Sequence, residues 1–446
     1  MKKKIIITNI LFVLFIVLEN ASLFYFFKAE ILTQGKNAWC LFLSSILFGV
    51  TLLYKFYGAS IINEVKKASI ATRISYVVLP LSFIGGLYWL FTLYLDLFTR
   101  LGIDPSYSDI IPTIQVLSRR LLAGEYPYNV ISMCGYTQQV TYLSMHWLPY
   151  SIAEFYKFDP RWVSSSIWAL ASILLFVRSL KSPNIYIRCL VPVFLVAGNS
   201  LIYYNTSGIL GLTIEIMIAG YYMMMVSGLN QKNGIIQGLF ISLCLLSRYS
   251  LVLWLPLYAY VLFISGHRKQ LYYSVATVLT IATVTYIIPF LSKDWSILYR
   301  GYKTYDSGAI FEWTRMQDRG INKDKPLMLF SGTGYAYFFY TRLESMDVLS
   351  RIKIMQKVHL FCSIGITVAM GIWYWYKRTK IDYRIFLMAS FKIYLSVFLF
   401  LIHVPYEYLM ITGNFVTLAI FAEQARYKLR LNNEEEPLAN EVLITQ

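Results

Sequence analysis

The chain has 446 residues, of which 57% are hydrophobic and 14% charged, where a soluble protein is about a quarter charged. Its 40 Lys and Arg against 24 Asp and Glu leave a net charge of +16. Twelve helices of roughly 20 residues would use about 240 residues, close to the apolar total, so the composition excludes a soluble globular enzyme, a disordered chain and a secreted disulfide scaffold.

The basic start, Lys2 to Lys4, precedes an apolar run over 5–27. That run continues past Asn20 and shows no small-x-small cleavage pattern, so it is read as an uncleaved first helix rather than a signal peptide. Further apolar segments are predicted at 38–57, 74–98, 162–177, 189–204, 208–228, 234–247, 250–265, 271–290, 354–376, 385–403 and 406–425. Basic residues in the short links set the orientation. With the N-terminus inside, the inner links hold Lys66, Lys67 and Arg73, then Arg178, Lys181 and Arg188, then Lys232, Arg268 and Lys269, then Lys377, Arg378 and Lys380, then Arg426, Lys428 and Arg430. The short outer links hold only Lys28, Lys36 and Arg248. The expectation is one membrane domain over 1–430, two extracytoplasmic loops at about 99–161 and 291–353, and a cytoplasmic acidic tail over 431–446 with Glu434 to Glu436. Loops of that length are commonly functional. Of the five cysteines only Cys134 lies in a polar loop, and no CxxC spacing occurs, so neither a zinc site nor a disulfide framework is supported.

In the first outer loop a helical pattern starts at Asp109, with Ile110, Ile111, Ile114, Leu117, Leu121 and Leu122 on one face. Ser108 or Asp109 suits the N-cap. Arg119 and Arg120 suit the negative end of the helix dipole. Gly124 ends the helix and Pro127 prevents its return. The pattern predicts an amphipathic helix lying on the membrane surface. Two readings of Asp109 stand: a helix cap, or a general base at the bilayer edge tuned by burial and nearby cations. Asp96 and Asp104 reach the same interface.

Later charges carry paired readings too. Arg248, at a turn between two short apolar segments and flanked by Ser247, Tyr249 and Ser250, suits a phosphate bidentately or snorkels to the interface. Glu215 is placed one or two turns inside the sixth span, where an acid is a functional candidate by default; it positions an acceptor, or pairs with Arg248. Lys392, inside the eleventh span, reads as structural. His146 and His403 fall at outer helix ends, with Glu407 beside His403. They hydrogen-bond a sugar or phosphate, or pack at the interface, and no ligand spacing points to a metal. The second loop mixes Arg, Lys and aromatics; it reads as a saccharide- or phosphate-facing cap, or as a solvated loop on anionic headgroups. An extracytoplasmic position without a binding module speaks against nucleic acid.

An apolar helix, an outer-loop Asp109, a short helix, and then Gly124, Pro127 and Tyr128 together resemble the GT-C membrane glycosyltransferases. The pattern is most similar to glycosyltransferase family 87, the bacterial polyprenyl-phosphate-mannose-dependent enzymes. Segment 142–150, around His146, resembles that family's aromatic-proline stretch leading into a membrane helix. Gly238 followed by Arg248 resembles its helical hairpin, so the matches cover 96–265. Ile110, Ile111 and Pro112 follow the Asp where the family more often has an aromatic, a departure that bears on the donor sugar.

The resemblance implies an all-α, GT-C-like polytopic fold of about twelve transmembrane helices with short amphipathic helices in its two outer loops. It implies transfer of a hexose, mannose-like, from a polyprenyl-phosphate donor to a lipid-linked or glycan acceptor, with inversion, Asp109 being the general base. The leaving lipid phosphate needs cations, and Arg248, Arg119 and Arg120 are the candidates. Glu215, Tyr128, His146, His403 and Glu407 are the candidate acceptor or sugar contacts. No resident cofactor is expected, and metal dependence is left open. The expected setting is the bacterial inner (cytoplasmic) membrane, with both termini cytoplasmic, the site on the periplasmic or extracellular side, and membrane lipids, donor and acceptor as partners. Two other classes compete: a glycan polymerase or ligase, which puts its weight on later loops, and a lipid or saccharide transporter, which favours inverted repeats and broken midplane helices. No repeat is visible in the sequence.

Overall fold

A computed structural model describes residues 2–62, 70–133, 135–318 and 323–431. Lys66, Lys67, Cys134 and the acidic tail with Glu434 to Glu436 lie outside the described residues. Each predicted apolar segment contains a helix. The first three are α1 (Lys2–Ala21), which widens into a π turn at Ser22–Phe26, α2 (Gln34–Phe56) and α3 (Ile70–Arg100). The strand β1 (Ala59–Ile62) lies between α2 and α3. The first long link carries α4 (Ile110–Leu122), the ribbon β2 (Ile131–Met133) and β3 (Tyr136–Gln138), α5 (Ser144–Trp147) and α6 (Ser151–Tyr156). Next come α7 (Arg161–Ser179), α8 (Ile185–Leu212), α9 (Glu215–Leu229), α10 (Gly234–Leu245), α11 (Leu255–Ile264) and α12 (Arg268–Ala282), which also runs into a π turn, Thr283–Ile287. The second long link carries α13 (Ser296–Thr314) and α14 (Ala336–Arg342), followed by α15 (Val348–Lys377), α16 (Tyr383–Phe400), α17 (Glu407–Gln424) and β4 (Lys428–Leu431).

Among the described residues eight helices are long and apolar enough to cross a membrane: α1, α2, α3, α7, α8, α12, α15 and α16. The architecture is that of an all-α multi-span membrane protein. The helices α9, α10 and α11 are apolar but have only 15, 12 and 10 residues. At 1.5 Å per residue they reach about 15–22 Å, short of a hydrocarbon core about 30 Å thick. Side-chain caps define several starts. Asn233 Oδ1 accepts from Ile235 N at 2.9 Å, Asp382 Oδ1 from Arg384 N at 2.8 Å and Asp347 Oδ1 from Ser350 N at 2.9 Å.

Both long links lie at one end of the bundle, joined where Tyr126 Oη donates to the Phe290 carbonyl at 3.0 Å. The apolar face of α4 is not turned to lipid as its pattern suggested. Ile111, Ile114 and Leu117 are buried, and the helix packs on α5, α6 and the 148–150 turn. The second link has a core of its own, built on Trp313, Leu329, Phe330, Ile352 and Met355. At the opposite end Glu423, fully buried, accepts from Ser227 Oγ at 2.8 Å and Arg426 Nη1 at 3.1 Å, and also from Arg178 and Asn230. That carboxylate ties α7, α9 and α17 together. The strand β1 pairs antiparallel with β4 at this same end.

The helix α9 is buried along nearly its whole length and packs on α7, α10 and α17. Close approach needs small residues. A Cβ on Gly220 would stand 3.1 Å from the Trp168 backbone of α7, and one on Gly238 would stand 2.5 Å from the Ser274 carbonyl of α12.

Candidate functional site

The three short helices have one end each, at Leu229, Gly234 and Ile264, on the side opposite the long links. At about 1.5 Å per residue they extend roughly 15–22 Å toward the links, less than a hydrocarbon thickness of about 30 Å. Glu215 and Arg248 stand at the other tips of α9 and α10. The sequence placed Glu215 one or two turns inside a span; it is instead the first residue of α9. The chain breaks before it, with Thr206 non-helical inside α8 and Thr213 extended (φ −130°, ψ 175°). Arg248 follows α10 in extended conformation (φ −151°, ψ 146°). Its Nη2 pairs with Glu215 Oε1, the Arg side chain being 18% exposed and the Glu 3%. A buried ion pair thus forms the floor of the loop-bearing end.

The Arg248 loop is held from three sides. His146 Nδ1 meets the Ser247 carbonyl at 3.2 Å, Tyr222 Oη and Ser250 Oγ are 2.6 Å apart, and Tyr394 Oη donates to the Ser250 carbonyl at 2.5 Å. A carbonyl only accepts, so His146 Nδ1 carries the proton and Nε2 is an acceptor. The His146 ring stacks on Tyr142 at 4.2 Å. Burial, followed by the Arg248 charge, pushes its pKa down to about 3, so the ring is neutral at physiological pH.

Asp109 is half-buried at the start of α4 with φ −82° and ψ −10°, and its side chain makes no cap hydrogen bond. The neighbouring Ser108 Oγ takes the amide of Ile110 at 3.4 Å and donates to the Leu212 carbonyl at 3.1 Å. That second bond fastens the Asp109 turn to the helix break, three residues before Glu215. Of the two sequence readings, the capping one therefore passes to Ser108. Asp109 lies within electrostatic reach of Tyr406, whose Oη donates to Glu312 Oε1 at 3.1 Å. Tyr408 stacks on Tyr406 at 4.9 Å and lies in the field of Glu215, Arg248 and Tyr142. Tyr305 connects the tiers: burial and then Asp306 outweigh Arg248 to push its phenol up to about 12.

His403 meets Tyr305 edge-on, the ring centroids 4.7 Å apart. It is 2% exposed, and neither ring nitrogen has a hydrogen-bond partner among the described residues. Burial, with His359 and Lys353 nearby, holds its pKa down to about 4. Trp313 Nε1 fixes its backbone by donating to the His403 carbonyl at 2.8 Å.

The remaining sequence candidates stand apart from this cluster. Arg119 pairs with Glu154 (Nε to Oε2, 2.7 Å). Arg120 donates to the carbonyls of Pro127 at 3.1 Å, Asn129 at 2.6 Å and Val130 at 3.0 Å. By helix rise both lie about 15 Å along α4 from Asp109. Tyr128 is fully buried, donating to the Tyr142 carbonyl at 2.7 Å and accepting from Trp147 Nε1 at 3.0 Å. Glu407 pairs with Lys28 at 3.1 Å. Lys392 is buried against Glu19 at 3.1 Å and donates to the Gly413 carbonyl at 3.1 Å. Sequence reasoning missed Tyr222, Ser250, Tyr305, Glu312, Tyr394, Tyr406 and Tyr408. Among the described residues no three of His, Cys, Asp and Glu gather closely enough to hold a metal ion. Set against known proteins, the chain matches no family model, no curated protein and no solved structure.

Proposed function

We propose that the protein is a GT-C-type membrane glycosyltransferase of about twelve spans that moves a hexose, mannose-like, from a polyprenyl-phosphate donor to a lipid-linked or glycan acceptor. The charge bias of the short links supports an orientation with both termini cytoplasmic and the loop-bearing end outside. In the reaction Asp109 removes the acceptor hydroxyl's proton as its oxygen attacks the anomeric carbon. The bond from that carbon to the phosphate oxygen breaks, and its electron pair leaves with the polyprenyl phosphate. Attack opposite the leaving group inverts the anomeric centre. Arg248 takes the charge that develops on the phosphate.

The observation that carries this reading is the juncture at residues 212–215. There the turn that carries Asp109 is fastened through Ser108 to the Leu212 carbonyl, three residues before Glu215, whose buried carboxylate pairs with the part-buried Arg248. The three short helices favour a substrate whose charged head enters from the membrane side. In a membrane assay with a polyprenyl-phosphate hexose, Asp109→Asn is expected to lose transfer by at least about 100-fold with unchanged insertion. Near-normal transfer by that variant would remove the base assignment.

A further inference from the structure

Among the described residues three carboxylates of the bundle are buried, Glu19, Glu215 and Glu423, and the last two are satisfied very differently. Glu423 is saturated, with donors from Arg178, Ser227, Asn230 and Arg426. Glu215 has one oxygen on Arg248, while its Oε2 is buried with no hydrogen-bond partner among the described residues. An ionised carboxylate offers about four acceptor positions, and leaving buried ones empty is costly. The arginines show the same contrast. Arg120 and Arg351 each bond three backbone carbonyls. The Arg248 guanidinium, with five N–H donors, hydrogen-bonds only Glu215 among the described residues. The two spare capacities sit together on a backbone braced by His146, Tyr222 and Tyr394.

We propose that Glu215 occupies, as an internal anion, the place on Arg248 that a ligand's phosphate takes, and that the exchange frees its carboxylate for a hydroxyl of the attached sugar. The proposal rests on the glycosyltransferase reading above and adds a selection step to it. A sugar phosphodiester brings one negative charge and a hydroxyl donor, matching both spare capacities. A bare lipid phosphate brings up to two charges and no sugar hydroxyl, so Glu215 competes with it and repels it. Glu215 thereby separates donor from spent carrier and favours release of the latter. The braced backbone confines the exchange to side chains.

The test measures binding of polyprenyl phosphate and of polyprenyl-phosphate mannose to the full chain in zwitterionic nanodiscs. Glu215→Gln is expected to bind the bare phosphate about tenfold tighter, since a like charge has been removed. The donor, losing its sugar contact, does not gain in step, so the preference for donor over bare phosphate falls by about the same factor. A merely structural ion pair gives the opposite: an Arg248 loop loosened by the substitution binds both lipids equally or less well. Bare-phosphate affinity that is unchanged or weaker in Glu215→Gln overturns the proposal. Should that variant not fold, Glu215→Met, which also removes the charge at nearly the same side-chain length, is read by the same criterion. Wild-type protein that binds neither lipid overturns the glycosyltransferase reading itself. Binding of both without any shift in the variants overturns the exchange alone.

Discussion

Asp109 stands where an aspartate ordinarily caps a helix, yet its backbone is already helical and Ser108 takes the capping contact. Rare charges in apolar surroundings are what a sequence displays best, so Asp109, Glu215 and Arg248 could be picked out from it. Tyr222, Tyr305, Tyr394 and Tyr406 could not, because tyrosine occurs 37 times and nothing local marks the few that surround the Arg248 turn and His403. Arg119 and Arg120 looked equally suited to a phosphate; the carboxylate and carbonyls that engage them become neighbours only on folding. His403 carries a prediction of its own. Its folded pKa of about 4 lies below the ordinary 6.5, so the unfolded chain binds a proton that the native state refuses. Stability from this group is complete above pH 6.5 and declines as pH falls from there toward 4. The shift corresponds to about 3 kcal/mol in all. Thermal unfolding in detergent should show that decline, and His403→Gln should flatten it; an equal slope in the variant would contradict the assignment.

At the scale of elements, hydropathy found every apolar helix but misjudged how they end. The predicted segments 189–204 and 208–228 are in fact a longer α8 through Leu212 and a shorter α9 from Glu215. The break lies in the backbone angles of Thr206 and Thr213, which apolar periodicity does not register. For the same reason the level of the Glu215–Arg248 pair was hidden: it depends on α9 and α10 being short of a span. Gly238 lets α10 lie backbone to backbone on α12, a Cβ there meeting the Ser274 carbonyl at 2.5 Å and Thr277 Cβ at 2.7 Å. Because α10 carries Arg248 at its tip, Gly238→Val should cost about 1–3 kcal/mol of stability and should weaken donor use more than acceptor use. Steady-state kinetics with each substrate varied in turn checks this. A variant that unfolds earlier but keeps its donor KM would separate Gly238 from the site.

For the whole molecule, the +16 divides into two parts. About half of the basic residues flank the helix ends that the proposed topology puts in the cytoplasm, where they would orient the chain. The rest lie mainly in the links at the other end, many in ion pairs such as Arg119 with Glu154, Arg300 with Asp294 and Lys353 with Asp306. Inside the bundle, Glu19 and Lys392 join α1 to α16, and Glu423 locks the far end. The Glu215–Arg248 pair is thus set in a frame whose other buried carboxylates, Glu19 and Glu423, are also paired. The orientation of the chain is testable in a cysteine-free background: cysteines at the exposed positions Ser106 and Ser345 should react with an impermeant thiol reagent in intact cells. Labelling only after permeabilisation would turn the molecule over and remove the site from the outer face.

The central claim, sugar transfer from a lipid phosphate at this site, is tested most directly with the purified chain in lipid vesicles containing acceptor lipids extracted from the source membranes. A panel of polyprenyl-phosphate hexoses is supplied, and mass spectrometry follows both released polyprenyl phosphate and glycosylated product. One donor, mannose-like, should give the two products in equal amounts, and neither should form with Asp109→Asn. No turnover with any donor, or equal turnover by Asp109→Asn, would contradict the account.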